Sequence, residues 1–483
     1  MIYDLLIIGA GATGSMTAYA LAKYDLKVAV AEAQYDIASG TTKANSAIVH
    51  AGYDAEPGTL KALLNPDGCR MMEGITKKLG VHFSKCGSHV VAFSEKEIEH
   101  LNLLLDRGGQ NGVEELYIID QAALREMEPN ISEHALASLW APNAGIVCPY
   151  DLAIAGSENA CVNGTDFYLN YKVAKITQVD GHYEVESEDG EKISAKYIAN
   201  SAGLYAENIA EIAGEIDFPV KISPRRGEYM IMDKMYGDMV KSVLFAVPNE
   251  NGKGILVSPT VDENLIVGPN ARVVESKLNT DTTDEGMEEI SKGAHHLVPS
   301  LNLRGVITSF AGVRSTSNIG DFYLQASTQL PNFVHAAGIE SPGLASSPAV
   351  GEYIAKLLFE IGLPKIPREN YIESRGEHGN FVMFKDLSDN EKAERIKNDP
   401  SFGKIVCRCE TITEGDILQS IRRPLGAKNL DMIKKRVRAG MGRCQGGFCS
   451  PRAAELLSQE LNLPLNQTKK STKTSWLLGE RTK

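Results

Sequence analysis

Residues 4–32 begin Asp4-Leu5-Leu6-Ile7-Ile8-Gly9-Ala10-Gly11-Ala12-Thr13-Gly14 and close on Glu32. The apolar run Leu5–Ile8 suits a strand buried on both faces. Helical spacing follows from Ser15 to Lys23, and a second strand is expected over Lys27–Ala31. Strand, glycine turn, helix, strand and acid in this order form a βαβ unit that binds a dinucleotide. Gly9 permits the tight turn, Gly11 lets the backbone approach a pyrophosphate, and Gly14 lets helix and strand pack closely. Ala12 and Thr13 start a helix whose free amides face the phosphates. Glu32, 18 residues after Gly14, is placed to hold a ribose hydroxyl pair. The unit alone does not separate NAD from FAD.

Two later turns favour FAD. Asn200-Ser201-Ala202-Gly203 follows an apolar strand at Tyr197–Ala199. Ala337-Gly338-Ile339-Glu340-Ser341-Pro342-Gly343-Leu344-Ala345-Ser346-Ser347-Pro348 follows another at Phe333 and Val334, and opens a helix expected over Ala349–Ile361. A second helix N-terminus aimed at the cofactor suits the anionic pyrimidine ring of a flavin, and a nicotinamide enzyme has no need of it.

The other end carries different chemistry. Cys407 and Cys409 stand in Val406-Cys407-Arg408-Cys409-Glu410, and Cys444 and Cys449 in Gly442-Arg443-Cys444-Gln445-Gly446-Gly447-Phe448-Cys449. Zinc ribbons repeat Cys-x2-Cys twice, which this spacing does not. Four thiolates without histidine suit a [2Fe–2S] cluster, two per iron, with structural zinc or inert thiols as alternatives. Thr411–Glu414 reads as a capping box for a helix that Pro424 ends. A second helix is expected from Leu430 to Arg438, stopping at Gly440, and Ser450 with Pro451 can start a third. Cys449 then sits before a helix N-terminus, which favours a thiolate, and Gly446-Gly447 leaves amides free for sulfur. Residues 405–455 hold ten Lys and Arg against five acids, a net +5 within a chain of −12. Arg408, Arg443 and Arg452 are expected to offset an anionic cluster and raise its potential. Lys434, Lys435 and Arg436 are expected on a solvated basic face. Cys69, Cys86, Cys148 and Cys161 are scattered and read as small buried hydrophobes.

At 483 residues several domains are expected. The acidic balance argues against nucleic-acid or anionic-membrane binding. No basic n-region precedes the first apolar run, so no secretory signal is expected, and no stretch has the length of a membrane span. A cytoplasmic location is expected, with any attachment to the inner membrane made through a partner.

Further segments carry a family resemblance. They are Asn45-Ser46-Ala47-Ile48-Val49-His50-Ala51-Gly52-Tyr53, Pro57-Gly58-Thr59-Leu60-Lys61, Pro149-Tyr150-Asp151, Pro224-Arg225-Arg226-Gly227-Glu228-Tyr229, Gly254-Ile255-Leu256-Val257-Ser258-Pro259-Thr260 and Gly312-Val313-Arg314. With the glycine turn, they make residues 1–370 resemble the FAD-dependent D-amino-acid-oxidase superfamily, in the branch of glycerol-3-phosphate dehydrogenases and oxidases and L-2-hydroxyglutarate dehydrogenases. Residues 405–460, through Arg438-Ala439-Gly440-Met441-Gly442-Arg443-Cys444-Gln445-Gly446-Gly447-Phe448-Cys449, resemble the [2Fe–2S] domain similar to bacterioferritin-associated ferredoxin, as fused to large subunits of anaerobic glycerol-3-phosphate dehydrogenases.

The resemblance implies a mixed α/β and α+β fold. A Rossmann-like FAD-binding domain (1–80, 146–212 and 311–365) interleaves with an antiparallel-sheet substrate domain (81–145 and 213–310). A connector (366–404), a small helical [2Fe–2S] domain (405–463) and a tail (464–483) follow. It implies oxidation of sn-glycerol 3-phosphate at FAD, with electrons passing through the cluster to a partner subunit or quinone. A 2-hydroxy acid such as L-2-hydroxyglutarate, or a secondary amine, is the alternative substrate. His50 is the candidate base, and Lys253, Arg314 and Ser341 are candidates to bind substrate. Around FAD it adds Thr41, Asn45, Ser46, Val173, Ala202, Gly203 and Gly312 to the first turn. From the last turn it adds Gly338, Glu340, Gly343, Leu344 and Ala345. Cys407, Cys409, Cys444 and Cys449 would hold the cluster. The hydroxyglutarate branch carries glycine where Ala47 stands, and aromatics after Gly52, where Tyr53 is followed by Asp54. Asp54 would repel a substrate carboxylate.

Overall fold

The computed structural model describes residues 1–247 and 254–479. Ile2–Ile8 lies at the centre of the first sheet, which has eight strands among the described residues. Across it run Val173–Val179, His182–Ser187, Lys192–Asn200, Ile2–Ile8, Val28–Glu32 and Asp166–Leu169, with Phe333–Ala337 and Tyr323–Ala326 added beside Lys192–Asn200. The central strands are parallel, Leu5 lying opposite Val28 and Tyr197, and Ile198 opposite Phe333. Leu5 and Ile7 pack on one face under the helices Ala12–Leu21 and Gly343–Glu360, while Leu6 packs on the other against Tyr183, Val185 and Ile209. Burial on both faces explains a strand without polar alternation, each such side chain contributing about 1.5–3 kcal/mol.

The second sheet has nine strands among the described residues, all drawn from 88–141 and 222–317. Its spine is the long antiparallel pair Ile222–Met232 and Val306–Ser317, which puts Arg225 opposite Arg314 and Gly227 opposite Gly312. That second strand runs through residue 310, where the sequence placed a boundary. A small sheet of Ile48–Val49, Gly145–Val147 and Phe83–Ser84 also forms.

The helix expected from Ala349 begins six residues earlier, at Gly343, and contains Pro348. Proline has no N–H to offer the Leu344 carbonyl four residues back. The Ser347 hydroxyl donates to that carbonyl instead, at 2.8 Å, so the helix tolerates the proline. Ser347→Ala is expected to lower stability by about 1–3 kcal/mol through the orphaned carbonyl, as read from urea denaturation.

Residues 405–460 form three helices, Glu414–Arg422, Leu430–Val437 and Ser450–Glu460, beside the strand pair Ile405–Cys407 and Ile412–Thr413. The capping box falls at Thr413 and Asp416, not at Thr411 and Glu414: Thr411 takes a left-handed φ of 54° and ends the turn before the helix. The second helix stops at Arg438, itself left-handed, two residues before Gly440. Ser450 is the first helical residue, with Cys449 as the N-cap. The expected solvated face of Lys434, Lys435 and Arg436 is wrong for the last two. Both are buried, and both pair with Asp36 in the loop after Val28–Glu32: Arg436 by two bonds of 2.8 and 3.0 Å, and Lys435 at 2.6 Å. Arg438 adds a second clamp, 2.7 Å from Asp262 and 2.9 Å from Glu410. In the connector, a capping box of Ser388 and Glu391 starts the helix Asp389–Asn398, and buried Arg375 bonds Glu158 and Asp151 at 2.7 and 2.8 Å. In the tail, Leu477 packs against the three-helix core and Trp476 is half exposed. No helix among the described residues is long and apolar enough to cross a membrane.

Candidate active site and cluster site

One cavity of about 1610 Å³ runs between the two large sheets. This exceeds the usual volume for a drug-sized ligand and leaves room for a dinucleotide and a substrate. Gly9, Gly11, Ala12 and Thr13 line one end, together with Glu32. Gly14 stands behind them: a Cβ there would lie 1.9 Å from the Gly9 carbonyl oxygen, so only glycine lets the helix start so close to its strand. Both Glu32 carboxylate oxygens accept backbone amides, from Ala10 and Gln34, each at 2.8 Å. That fixes the carboxylate at the cavity edge, and burial pushes its pKa up. Ser201 also lines the cavity, and its buried hydroxyl has no partner in the protein. A hydroxyl left so is a vacancy for a ligand's polar group.

Thr41, Asn45, Ser46, Val173, Ala202 and Gly203 line the same cavity. Thr41 donates to the Val313 carbonyl at 2.7 Å, tying this loop to the second sheet. Asn45 accepts from the Ala47 amide at 2.8 Å and so holds Ala47 in a left-handed φ of 63°. A glycine would adopt this conformation freely. Glu340, Ser341, Gly343 and Leu344 form the wall at the N-terminus of the long helix. Glu340 is held by Lys61 at 3.1 Å and Thr316 at 2.7 Å. Gly312, Gly338 and Ala345 do not line the cavity but pack behind it. A Cβ on Gly312 would lie 1.9 Å from the Ala44 carbonyl oxygen, and Ala345 is wholly buried.

His50 lies on the cavity wall just after Ile48–Val49, half-buried, its ring stacked 5.6 Å from that of Phe245. Asn65 donates to its carbonyl at 2.7 Å and fixes the loop. Arg314 and Arg225 line the cavity as cross-strand neighbours, with Arg314 over Gly227, whose missing side chain makes room for the guanidinium. Arg225 was not singled out from sequence, although it stands in a quoted segment. Tyr229, four pairs along the same strand from Arg225, adds a ring stacked 4.8 Å from Phe310. Asp54 lines the cavity as well. Lys253 lies outside the described residues.

The four C-terminal thiols meet in two pairs, each with one member from either motif. Cys407 is within hydrogen-bond reach of Cys449, and Cys444 of Cys409. Among the described residues no three His, Cys, Asp or Glu side chains converge as a single ion requires. Two pairs of thiols match a cluster with two irons and two thiolates on each. The contact with Cys449 and the amides of Gly440 and Glu410 hold Cys407 down, and the same contact pushes Cys449 up. The amides of Phe448, Gly446 and Gly447 lower Cys444. These are the free amides expected from the glycine pair. Of the other cysteines, Cys69 is buried and Cys86, Cys148 and Cys161 partly so, and burial raises all four.

Contacts also run from the cavity wall towards the second cysteine motif. The Val147 amide donates to the Ala47 carbonyl on the cavity wall, and three residues on, the Tyr150 hydroxyl meets the Met441 sulfur at 3.5 Å. Met441 is three residues from Cys444.

Comparison with known proteins finds a family match over each of the two parts of the chain. The family described as FAD dependent oxidoreductase matches residues 4–357, and the BFD-like [2Fe-2S] binding domain matches residues 405–459. A glycerol 3-phosphate dehydrogenase of Caloramator mitchellensis is 43% identical over 481 residues, covering 100% of this chain and 99% of that one. A glycerol 3-phosphate oxidase of Mycoplasma genitalium is 33% identical over 364 residues, 74% of this chain and 94% of that one. Among solved structures, the dithionite-reduced L-alpha-glycerophosphate oxidase of Mycoplasma pneumoniae with FAD bound superposes with a TM-score of 0.73. It is 31% identical and covers 77% of this chain and 98% of that chain.

Proposed function

This chain belongs to the FAD dependent oxidoreductase family, and we propose that it oxidises sn-glycerol 3-phosphate to dihydroxyacetone phosphate. FAD and a [2Fe–2S] cluster are its cofactors. One observation carries the proposal: a single cavity lined by the glycine turn, by His50 and by the paired Arg225 and Arg314. FAD, when bound, supplies a two-electron acceptor for hydride, and the cluster, when bound, takes electrons one at a time.

The residues divide the remaining work. His50 takes the hydroxyl proton as the C–H bond breaks. Arg225 and Arg314 hold the phosphate, their planar donors matching its oxygens. Ser341 bonds the substrate beside the helix N-terminus. Gly9, Gly11, Ala12 and Thr13 cradle the pyrophosphate, Ser201 and Glu32 take cofactor hydroxyls, and the loop of Thr41, Asn45 and Ser46 closes over it. Cys407, Cys409, Cys444 and Cys449 hold the cluster, from which electrons pass to a partner protein or quinone.

Anaerobic mixing tests the reading. Glycerol 3-phosphate is expected to bleach the flavin absorbance, and L-2-hydroxyglutarate and secondary amines are not. Bleaching by one of those and not by glycerol 3-phosphate would overturn the substrate assignment. Arg314→Leu removes one charge-assisted contact and is expected to raise KM for glycerol 3-phosphate about 10- to 100-fold, in steady-state kinetics with a dye acceptor.

A further inference from the structure

The four-thiol site has two unlike edges. Cys407 and Cys449 are 3% and 2% exposed and belong to the core of the three-helix module, with Ile412, Ile417 and Leu457. Cys409 is exposed and Cys444 partly so. Phe448 lies between Cys444 and Cys449 in the chain and is 88% exposed, although Cys449 is buried. A lone exposed phenyl ring is unremarkable by itself. Its surroundings give it meaning. Three of the module's six acids, Glu410, Glu414 and Asp416, are withdrawn from the surface. Four of its cations, Arg423, Lys435, Arg436 and Arg438, are turned towards acids of the body. Beside the open thiols stand Arg408, exposed and in no ion pair among the described residues, and Arg443, which is exposed although it too pairs with a body acid, Asp233, at 2.7 Å. An aromatic centre with an arginine rim is the composition of a protein interface. A cationic rim also steers an acidic partner onto it.

We propose that the Cys409–Cys444 edge, with Phe448 at its centre and Arg408 and Arg443 on its rim, is the docking surface for an acidic one-electron carrier protein. The proposal rests on the function above and names its acceptor class. Each substrate oxidised yields two electrons and two protons. Two oxidised carrier molecules are each reduced by one electron in turn, the protons pass to water, and no bond forms between carrier and enzyme. The buried edge, facing the module core, stays closed to outside reductants and oxidants.

The test uses holoenzyme and an acidic [2Fe–2S] ferredoxin as probe. Calorimetric titration of oxidised ferredoxin into oxidised wild-type enzyme is expected to show binding that weakens as salt rises. Phe448→Ser is expected to weaken it at least about 10-fold and to raise KM for ferredoxin likewise, and Phe448→Trp to restore both. Flavin bleaching by substrate, turnover with a small dye and the EPR spectrum of the cluster are expected to stay as in wild type. Wild-type enzyme that does not bind ferredoxin, or Phe448→Ser enzyme that binds it as tightly, overturns the proposal. So does turnover with a short-chain quinone but none with ferredoxin, which would assign the exit to quinone. Absence of flavin bleaching in wild type would instead strike the substrate assignment, which separates the two failures.

Discussion

His50→Ala is expected to slow flavin bleaching by glycerol 3-phosphate about 10²- to 10⁴-fold, the usual contribution of a positioned general base. The imidazole lies on the cavity wall, anchored by stacking on Phe245 and by the Asn65 bond to its carbonyl. Neither anchor belongs to the glycine turn that cradles the cofactor, so FAD content is expected to be unchanged. Substrate affinity should change little, because the phosphate is held by Arg225 and Arg314. The effect should therefore fall on the rate of bleaching at saturation, read by anaerobic stopped-flow absorbance. A variant that bleaches at the wild-type rate would leave His50 as a packing residue.

Arg436→Met is expected to cost about 3–5 kcal/mol in the docking of the cluster module, the usual result of removing one partner from a buried pair. Asp36 is wholly buried and takes two bonds from Arg436. Lys435 remains 2.6 Å from Asp36, but the two bonds that Arg436 gives the Leu425 carbonyl are lost as well. Replacing all three with apolar residues, Asp36→Leu, Lys435→Met and Arg436→Met, should restore most of the loss, because no buried charge is then left alone. Hydrogen exchange over residues 405–460 would measure both variants. Arg436→Met should also slow cluster reduction while leaving flavin bleaching at its wild-type rate, since the module is loosened and the cavity is not. The clamp has a pH signature. Burial raises the Asp36 carboxyl, but Arg436 and Lys435 outweigh it and hold the group below its ordinary value. A carboxyl so lowered stabilises the folded form fully above its unfolded pKa near about 4, and the contribution fades as pH falls through the lower folded value. Wild-type docking should thus weaken below about pH 4, and the apolar triple variant should lack that component.

Particular residues tell how much could be read in advance. The glycine turn was legible because its chemistry is local: strand, turn and helix follow within one stretch of chain. The cysteine motifs were legible for the same reason. Arg225 was not assigned, because its pairing with Arg314 depends on the register of two strands nearly ninety residues apart. Lys435 and Arg436 were misread because a basic run on a helix usually faces water, and their partner Asp36 lies 400 residues from Arg436 in sequence. The early start of the helix at Gly343 was missed because proline is a fair stop signal, and only the Ser347 bond shows why it fails here.

The most direct test is anaerobic addition of one equivalent of sn-glycerol 3-phosphate to wild-type holoenzyme, followed by absorbance and EPR in parallel. The flavin absorbance should bleach, and the EPR signal of a reduced [2Fe–2S] cluster should then grow. A bleached flavin beside a cluster that stays oxidised, or no bleaching at all, would contradict the account.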